Sequence, residues 1–547
     1  MMSDTIGTFL LTRLHQLGLN HIFGIPGDYV LTLYKLLDES PIRHIGTTRE
    51  DCAGFAADAY ARIKGIGGIC VTYCVGGLNI VNAVACAYAE RSPVVVLSGS
   101  PGVAERSQNP FLHHMVRDHT TQREVFDKIT VASVILDDPL TAEREIDRAL
   151  AALRRYKRPI YLEIPRDKVL TPIEVESSTL PQETECSSDP TAVKEAVAEV
   201  RTILANSERP VLLAGAEIYR YGLQDDLRHL VERMNTPFAT TLLGKSVIQE
   251  DHPLYIGVYG GLVGREEVLT FVDNADCLMT LGTVFTDIDD VKVHTRLLAS
   301  GRTIHATADA ITIKHHRYDG VRFEDFVRAL TAAPLPSFPS QQLPKHDPFL
   351  FEASPPSTPV TLHSLFGHLD SQLTDESMVI ADIGESLFAS ADIHVHESAR
   401  FLSPAYYTSM GFSVPAALGA GFADPSKRII VLVGDGAFQM TGTELATCFR
   451  YGQTPIVIVL NNRGYTTERE ILDGPFNDIH EWQYEKICTL MGGGVGMVVR
   501  TFGELVENLK TAMTDVNNIY VLNVLLEPKD RSTAMTRVAQ RLAKRLN

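Results

Sequence analysis

Ile429-Ile430-Val431-Leu432-Val433-Gly434-Asp435-Gly436 runs an apolar stretch straight into an acidic turn flanked by glycines. Ile456-Val457-Ile458-Val459-Leu460-Asn461-Asn462 runs a second apolar stretch into a pair of asparagines. Each has the length and β-branched content of a buried strand. Twenty-four residues separate Gly436 from Asn461, room for one crossover helix. Two parallel strands joined in this way would bring Asp435 and Asn462 to one edge of a sheet. A carboxylate, an amide oxygen and a nearby backbone carbonyl are hard oxygen ligands, suited to Mg²⁺ that also holds a diphosphate. Read singly, Asp-Gly is a common turn and Asn-Asn a plain loop; the pairing of both at strand ends is what points to a site. Thr441 followed by Glu444 is expected to form a capping box that starts the crossover helix.

Outward from this stretch the same alternation continues. Ser3 is expected to cap a first helix with Ile6, Phe9, Leu10, Leu14 and Leu17 on one stripe and Gly18 as its stop. Strands are expected at 21–25, 69–73, 94–97 and 160–164, with a helix at 53–63 between the first two. A second block carries strands at 211–214, 277–281 and 303–306. The stretch 177–189, rich in Ser, Thr, Glu and Pro, reads as one linker, and 334–359, which holds eight of the 28 prolines, as another. The expected architecture is α/β, with three doubly wound parallel-sheet domains at 1–180, 190–333 and 360–547.

The 547 residues are 45% hydrophobic and 21% charged, enough for large cores. A net charge of −17 argues against a nucleic-acid or anionic-membrane partner. The eight cysteines are scattered without a CxxC pair, the N-terminus shows no signal peptide, and no apolar run reaches membrane length, so a cytoplasmic location is expected.

Gly434-Asp435-Gly436-Ala437-Phe438-Gln439 and Asn461-Asn462-Arg463-Gly464-Tyr465-Thr466 resemble the thiamine-diphosphate (ThDP) enzymes of the pyruvate decarboxylase family. The resemblance covers nearly the whole chain and implies a pyrimidine-binding first domain, a middle domain and a diphosphate-binding third domain. It implies that Asp435, Asn462 and the Gly464 carbonyl ligate Mg²⁺. It further implies that Gly434, Gly436, Ala437, Tyr465 and Thr466 lie along the cofactor. Thr48-Arg49-Glu50-Asp51-Cys52-Ala53-Gly54 resembles the family's helix start whose glutamate, here Glu50, bonds the aminopyrimidine and favours its reactive tautomer. Locally the same residues read as a capping box of Thr48 and Asp51, with Glu50 suiting the helix dipole. Ser409-Met410-Gly411 resembles the segment whose bulky residue, here Met410, wedges beneath the cofactor; a core methionine is the plainer alternative. In this family ThDP sits between the first domain of one subunit and the third of another, which implies a homodimer or homotetramer.

Three further features narrow the chemistry. Asp28 follows a strand in Gly24-Ile25-Pro26-Gly27-Asp28-Tyr29, His113-His114 stands in a loop, and Glu468 lies just beyond the metal motif. Their ordinary readings are a helix cap, a solvated loop and a surface helix residue. All three match the subgroup that decarboxylates 2-oxo acids without oxidation, releasing CO₂ and an aldehyde. The resemblance casts Glu50, Asp28, His113, His114 and Glu468 as the catalytic set, with Glu468 near the departing carboxylate and Asp28 with His114 at the final protonation. Asp382-Ile383-Gly384-Glu385-Ser386-Leu387-Phe388 resembles the stretch lining the cofactor and substrate, with Gly384 and Ser386 on the cofactor side. Leu387, Phe388, Thr467 and Ile471 are the expected substrate pocket. Leu387 stands where pyruvate decarboxylases often carry tryptophan, and Thr467 where they carry isoleucine. A bulkier substrate is therefore expected: phenylpyruvate, indolepyruvate, or a branched or long aliphatic 2-oxo acid.

Three rivals remain open at this point: an acetolactate-synthase-like carboligase, a non-catalytic ThDP-binding scaffold and a Rossmann dehydrogenase. The last lacks a GxGxxG between strand and helix. Thr533–Leu546 reads as an amphipathic helix with Met535, Val538, Leu542 and Leu546 on one stripe; it either closes over the site or docks on the surface. Asp287 is a weaker candidate for an effector contact in the middle block.

Overall fold

The computed structural model describes residues 4–107, 110–176, 187–286, 303–344, 354–397 and 400–546; Asp287 lies outside them. The first sheet contains β1 (His21–Gly24), β2 (Arg43–Gly46), β3 (Gly67–Val71), β4 (Val94–Ser100), β5 (Ala132–Ile135) and β6 (Ile160–Pro165). Its order is β2-β1-β3-β4-β6-β5, and every pairing is parallel. The second contains β7 (Pro210–Ala214), β8 (Phe238–Thr240), β9 (Tyr255–Val258), β10 (Cys277–Leu281), β11 (Thr303–Ala306), β12 (Ile311–Ile313) and β13 (His316–Arg317). The third contains β14 (Ser377–Ala381), β15 (Phe401–Leu402), β16 (Arg428–Gly434), β17 (Ile456–Asn461), β18 (Val495–Val499) and β19 (Tyr520–Leu525).

The third sheet, β15-β14-β16-β17-β19-β18, is parallel throughout and repeats the strand order of the first. In both, the order reverses beside the opening strand, between β1 and β3 and between β14 and β16. Ligands of open parallel sheets bind outside the carboxyl ends of strands at such a reversal. Asp28 and Glu50 follow the ends of β1 and β2, and Gly384, Asp435 and Asn462 follow the ends of β14, β16 and β17. The middle sheet departs from the expected pattern. β12 and β13 add to β11 in antiparallel fashion, because the turn between Ala306 and Ile311 is too short for a crossover.

The chain forms two compact units: Met1–Glu185 with Ser409–Lys427 and Met440–Gln453, and Cys186–Thr408 with Arg428–Gln439 and Thr454–Asn547. The first is built on the helix Glu50–Lys64, whose buried residues include many small ones, Ala53, Gly54, Ala56, Ala57, Ala59 and Ala61, beside Phe55 and Tyr60. That lets the helix Ser413–Ala423 approach its backbone. A Cβ on Gly419 would lie 1.9 Å from the Ala56 carbonyl oxygen, so the crossing depends on glycine. At the far end Arg62, buried, donates to Asp58 and pairs with Glu90, each at 2.8 Å.

In the second unit, buried Lys245 donates to Glu250 Oε1 and Oε2 at 2.8 and 2.7 Å and to the Ile393 carbonyl at 2.8 Å. Glu250 also accepts from Tyr255 Oη (3.1 Å) and the Val395 amide (2.9 Å), so the pair ties the middle block to the third with every charge bonded. Removing one member leaves a buried charge unpaired. Lys245→Met is expected to destabilise this unit by about 3 to 5 kcal/mol. The Lys245→Met/Glu250→Leu double variant should recover most of that, because the desolvation cost disappears with the attraction. Denaturant unfolding checks this, and a single variant with the parent's midpoint overturns it. The C-terminal helix Thr533–Leu546 docks on the same unit. Met535 and Val538 are buried in its core, and Arg537 binds Asp392 bidentately at 2.8 Å and the Val263 carbonyl at 2.7 Å. The helix also contacts the helices Glu385–Ser390 and Thr466–Ile471; the side chains of Leu542 and Leu546 lie outside the described residues.

Two expected local caps do not form, and the Ser3 cap lies outside the described residues. The first helix, Ile6–Gln16, is capped by a Thr5–Thr8 box. Thr441 donates its hydroxyl to the Gly411 carbonyl at 2.8 Å and makes no box with Glu444. The helix Glu50–Lys64 has Arg49 at its cap with no side-chain bond, because Asp51 pairs with Arg49 and Thr48 turns to Glu444.

Candidate active site

In the second unit the register pairs Gly434 with Leu460, so the β16 and β17 strands end side by side and deliver Asp435 and Asn462 to one edge. Asp435 is 1% exposed. Its Oδ1 accepts from the Gly436 amide at 2.7 Å, and its Oδ2 accepts from the Arg463 and Gly464 amides at 2.6 and 3.2 Å. Burial pushes its carboxyl up to about 6, against the pull of those amides. Asn462 donates Nδ2 to Thr466 Oγ1, which leaves its buried Oδ1 without a hydrogen-bond partner. Asn461 directs its Nδ2 to Asn523 (3.0 Å) and Glu481 (3.1 Å), and its Oδ1 is also unpartnered. Gly464 has φ +153°, and a Cβ there would meet the Asn477 carbonyl at 2.1 Å, so only glycine brings the backbone this close. A Cβ on Gly436 would stand 2.5 Å from the Tyr465 ring.

Beside them Gly384, at φ +93°, opens the helix Glu385–Ser390, and Thr467 Oγ1 lies 3.6 Å from where its Cβ would be. Ser386 Oγ and Thr467 Oγ1 are buried hydroxyls without partners. Buried polar atoms are normally bonded, so this concentration of orphaned oxygens marks where a polar ligand belongs. A carboxylate, an amide oxygen and a glycine carbonyl fit a hard dication, and the hydroxyls fit a phosphate group. Ala437 and Thr466 are buried and Tyr465 is half-buried; a Cβ on Gly434 would meet open space. Leu387 has no exposed surface and packs within the core, with Phe388 at 8%. Glu468 and Ile471 are exposed on the helix Thr466–Ile471.

In the first unit Asp28, His113 and His114 come together, their ligand atoms all within 4.8 Å of one another. The helix after Asp28 starts at Leu31 without a side-chain cap, so Asp28 is free for His113, whose Nε2 lies 2.8 Å from Asp28 Oδ2. The other ring nitrogen, Nδ1, lies 3.1 Å from the Tyr29 hydroxyl, and the two rings stack with centroids 4.6 Å apart. With both nitrogens engaged, the ring orientation is fixed. His114, at φ +69°, sets its ring 4.8 Å from that of His113 and keeps a buried Nδ1 unpartnered. Arg166 stands 3.8 Å from Asp28 and forks onto Glu105. Glu50 opens its helix half-buried, and its Oε2 accepts from Asn79 Nδ2 at 2.7 Å. Met410 is half-buried between Ser409, bonded to Asn82 at 2.8 Å, and Gly411 at φ +83°. Sequence reasoning missed Tyr29, Asn79, Arg166 and Glu444. Tyr29 adjoins Asp28 and could have been found; the other three contacts join residues far apart in the chain.

Residues 4–128 match the thiamine pyrophosphate enzyme N-terminal TPP binding domain, 197–331 the central domain and 382–524 the C-terminal TPP binding domain. The chain is 36% identical over 537 residues to an indole-3-pyruvate decarboxylase of Azospirillum brasilense, covering 97% of each protein. It is 33% identical to an alpha-keto-acid decarboxylase of Mycolicibacterium paratuberculosis, covering 95% of this chain and 94% of that one. It is 31% identical to pyruvate decarboxylase 3 of Arabidopsis thaliana, covering 98% and 93%. With three thiamine pyrophosphate enzyme domains matched in order along the chain, and this likeness over its whole length, the chain belongs to the thiamine-diphosphate-dependent 2-oxo acid decarboxylase family.

Proposed function

We propose that the protein decarboxylates a bulky 2-oxo acid to an aldehyde and CO₂ without oxidation, using ThDP and Mg²⁺. The observation that carries this is the bonded Asp28–His113 pair beside His114, added to the Asp435–Asn462 edge with its orphaned Asn462 Oδ1. ThDP, when bound, supplies the attacking carbon and the electron sink for loss of CO₂. Asp435, Asn462 and the Gly464 carbonyl would hold Mg²⁺, and Gly384, Ser386, Gly434, Gly436, Ala437, Tyr465, Thr466 and Met410 would line the cofactor. Glu50 would hold a proton against its aminopyrimidine ring. Asp28 fixes His113 through Nε2, and the pair with His114 holds the proton that ends on the product carbon. Glu468 would orient the substrate carboxylate.

The bulky-substrate reading rests on Thr467, short where the resemblance gives pyruvate decarboxylases an isoleucine, and on exposed Ile471. Leu387 lends it less, because that side chain lies in the core. The test is an aldehyde-coupled assay over 2-oxo acids, with and without ThDP and Mg²⁺. A higher kcat/KM for phenylpyruvate than for pyruvate is expected. Preference for pyruvate overturns the substrate class, and an acetohydroxy acid as product in place of free aldehyde overturns decarboxylation in favour of carboligation. We further propose a cytoplasmic homodimer or homotetramer. Ile471, Leu472 and Phe476 in the second unit and Phe111 and Val116 in the first are large apolar side chains 59–90% exposed, more than isolated surface residues require. Light scattering checks the assembly. Among the described residues, no helix is long and apolar enough to cross a membrane.

A further inference from the structure

We propose that Glu444 is a positioning residue for Glu50, and this rests on the role given to Glu50 above. Glu444 is fully buried at the end of a turn of 3₁₀ helix, Gly442–Glu444. Besides Thr447 in its own segment, it bonds the entry to the Glu50 helix. Its Oε2 accepts from the Thr48 amide at 3.1 Å and from the Thr48 hydroxyl in a very short bond, across 396 residues of sequence. Burial raises its carboxyl above the usual range, while bonds from Thr447, Thr48 and Cys52 pull it down. Thr48 stands two residues before Glu50, and the helix Glu50–Lys64 begins with no side-chain cap of its own. A helix start without a cap frays. Here the end is held from outside: Glu444 clamps the residue that enters the first turn, and Asn79 clamps the Glu50 carboxylate at 2.7 Å. Two anchors on one short segment, at Thr48 and at Glu50, fix where the carboxyl points. A displacement of about 1 Å in such a group costs about 10²-fold in rate.

The segment Met440–Gln453 that carries Glu444 belongs to the same compact unit as Thr48 and Glu50, so the clamp acts within one body. Glu444 touches neither substrate nor cofactor on this reading; it acts through Thr48. Three variants test it. Glu444→Ala is expected to lower kcat about 10²-fold at saturating ThDP, with substrate KM little changed. Glu444→Gln, which keeps one acceptor for Thr48, should recover part of the loss. Thr48→Val, which removes only the hydroxyl bond, should fall between the two.

Two readouts separate positioning from general damage. In the protein without cofactor, amide hydrogen exchange over residues 46–55 should quicken in Glu444→Ala while the rest of the helix keeps its protection. In the loaded enzyme, exchange of the thiazolium C2 proton for deuterium should slow in step with kcat. Unchanged C2 exchange in a folded Glu444→Ala variant overturns the proposal, as does loss of protection along the whole helix. Glu50→Gln is run beside these. If it leaves C2 exchange at the parent rate, the reading of Glu50 fails; if it stops exchange while Glu444→Ala does not, the clamp alone fails.

Discussion

Glu50→Gln is expected to lower kcat about 10³-fold, within the range a positioned acid–base group supplies, and to leave folding intact. Glutamine has the same shape and keeps one oxygen for Asn79, so the bond at Glu50 Oε2 can persist. It cannot hold or release a proton at that atom. Glu50 is half-buried at the first turn of its helix, where loss of one negative charge changes stability by less than about 1 kcal/mol. Activity and stability should therefore separate: turnover collapses while the melting temperature stays within a few degrees. Steady-state kinetics and calorimetry on one preparation check this. A variant with near-parental turnover would mean that another group activates the cofactor. A parent protein without activity on any 2-oxo acid would leave only the scaffold reading.

Asp435→Ala is expected to abolish Mg²⁺-dependent retention of ThDP, and the unmodified protein should show the same loss as pH falls. The sign follows from burial. The Asp435 carboxyl is raised from 3.8 to about 6 in the folded chain, so the ionised form is disfavoured there. A rise of about two pH units is worth about 3 kcal/mol. In the metal-free protein this is a destabilising contribution, fully present above about pH 6 and lost as pH falls toward the unfolded value. A dication binds only the ionised carboxylate and offsets that contribution. Mg²⁺ should therefore raise the melting temperature most at neutral and mildly alkaline pH. Its apparent affinity should fall about tenfold per pH unit below about 6. Thermal shifts measured over pH with Mg²⁺ and ThDP read both effects. A Mg²⁺ response that is flat through this window would remove Asp435 from the metal site.

The Asp435 and Asn462 motif shows how far a sequence reading reaches. Both apolar runs became central strands, paired as neighbours in parallel, because a buried strand needs only a short β-branched run that any neighbour can cover. The strands at 277–281 and 303–306 were found to the residue for the same reason. Caps fared worse. Thr48 with Asp51 and Thr441 with Glu444 each satisfy the local capping pattern, and neither box exists. Their members found partners elsewhere: Thr48 took Glu444, Thr441 took the Gly411 carbonyl, and Asp51 took Arg49. A capping bond contributes about 1 kcal/mol. A buried carboxylate left without donors costs more than that, so Glu444 drew Thr48 away from its own helix.

The site divides along the same line. By itself the sequence determined the α/β class and the family resemblance, which selected Asp435, Asn462 and Gly464 as expected metal ligands and Glu50, Asp28, His113, His114 and Glu468 as the expected catalytic set. These depend on residue type, spacing and strand ends, all of which are local. Only the tertiary structure decided that Tyr29 and Asp28 hold the two nitrogens of His113, that Leu387 lies in the core, and that Asn462 Oδ1 is left without a partner. It also decided that Glu444 reaches the start of the Glu50 helix. Each of these is a matter of which polar atoms burial leaves to find one another, and burial is a property of the assembled sheets and helices that no short stretch of chain contains.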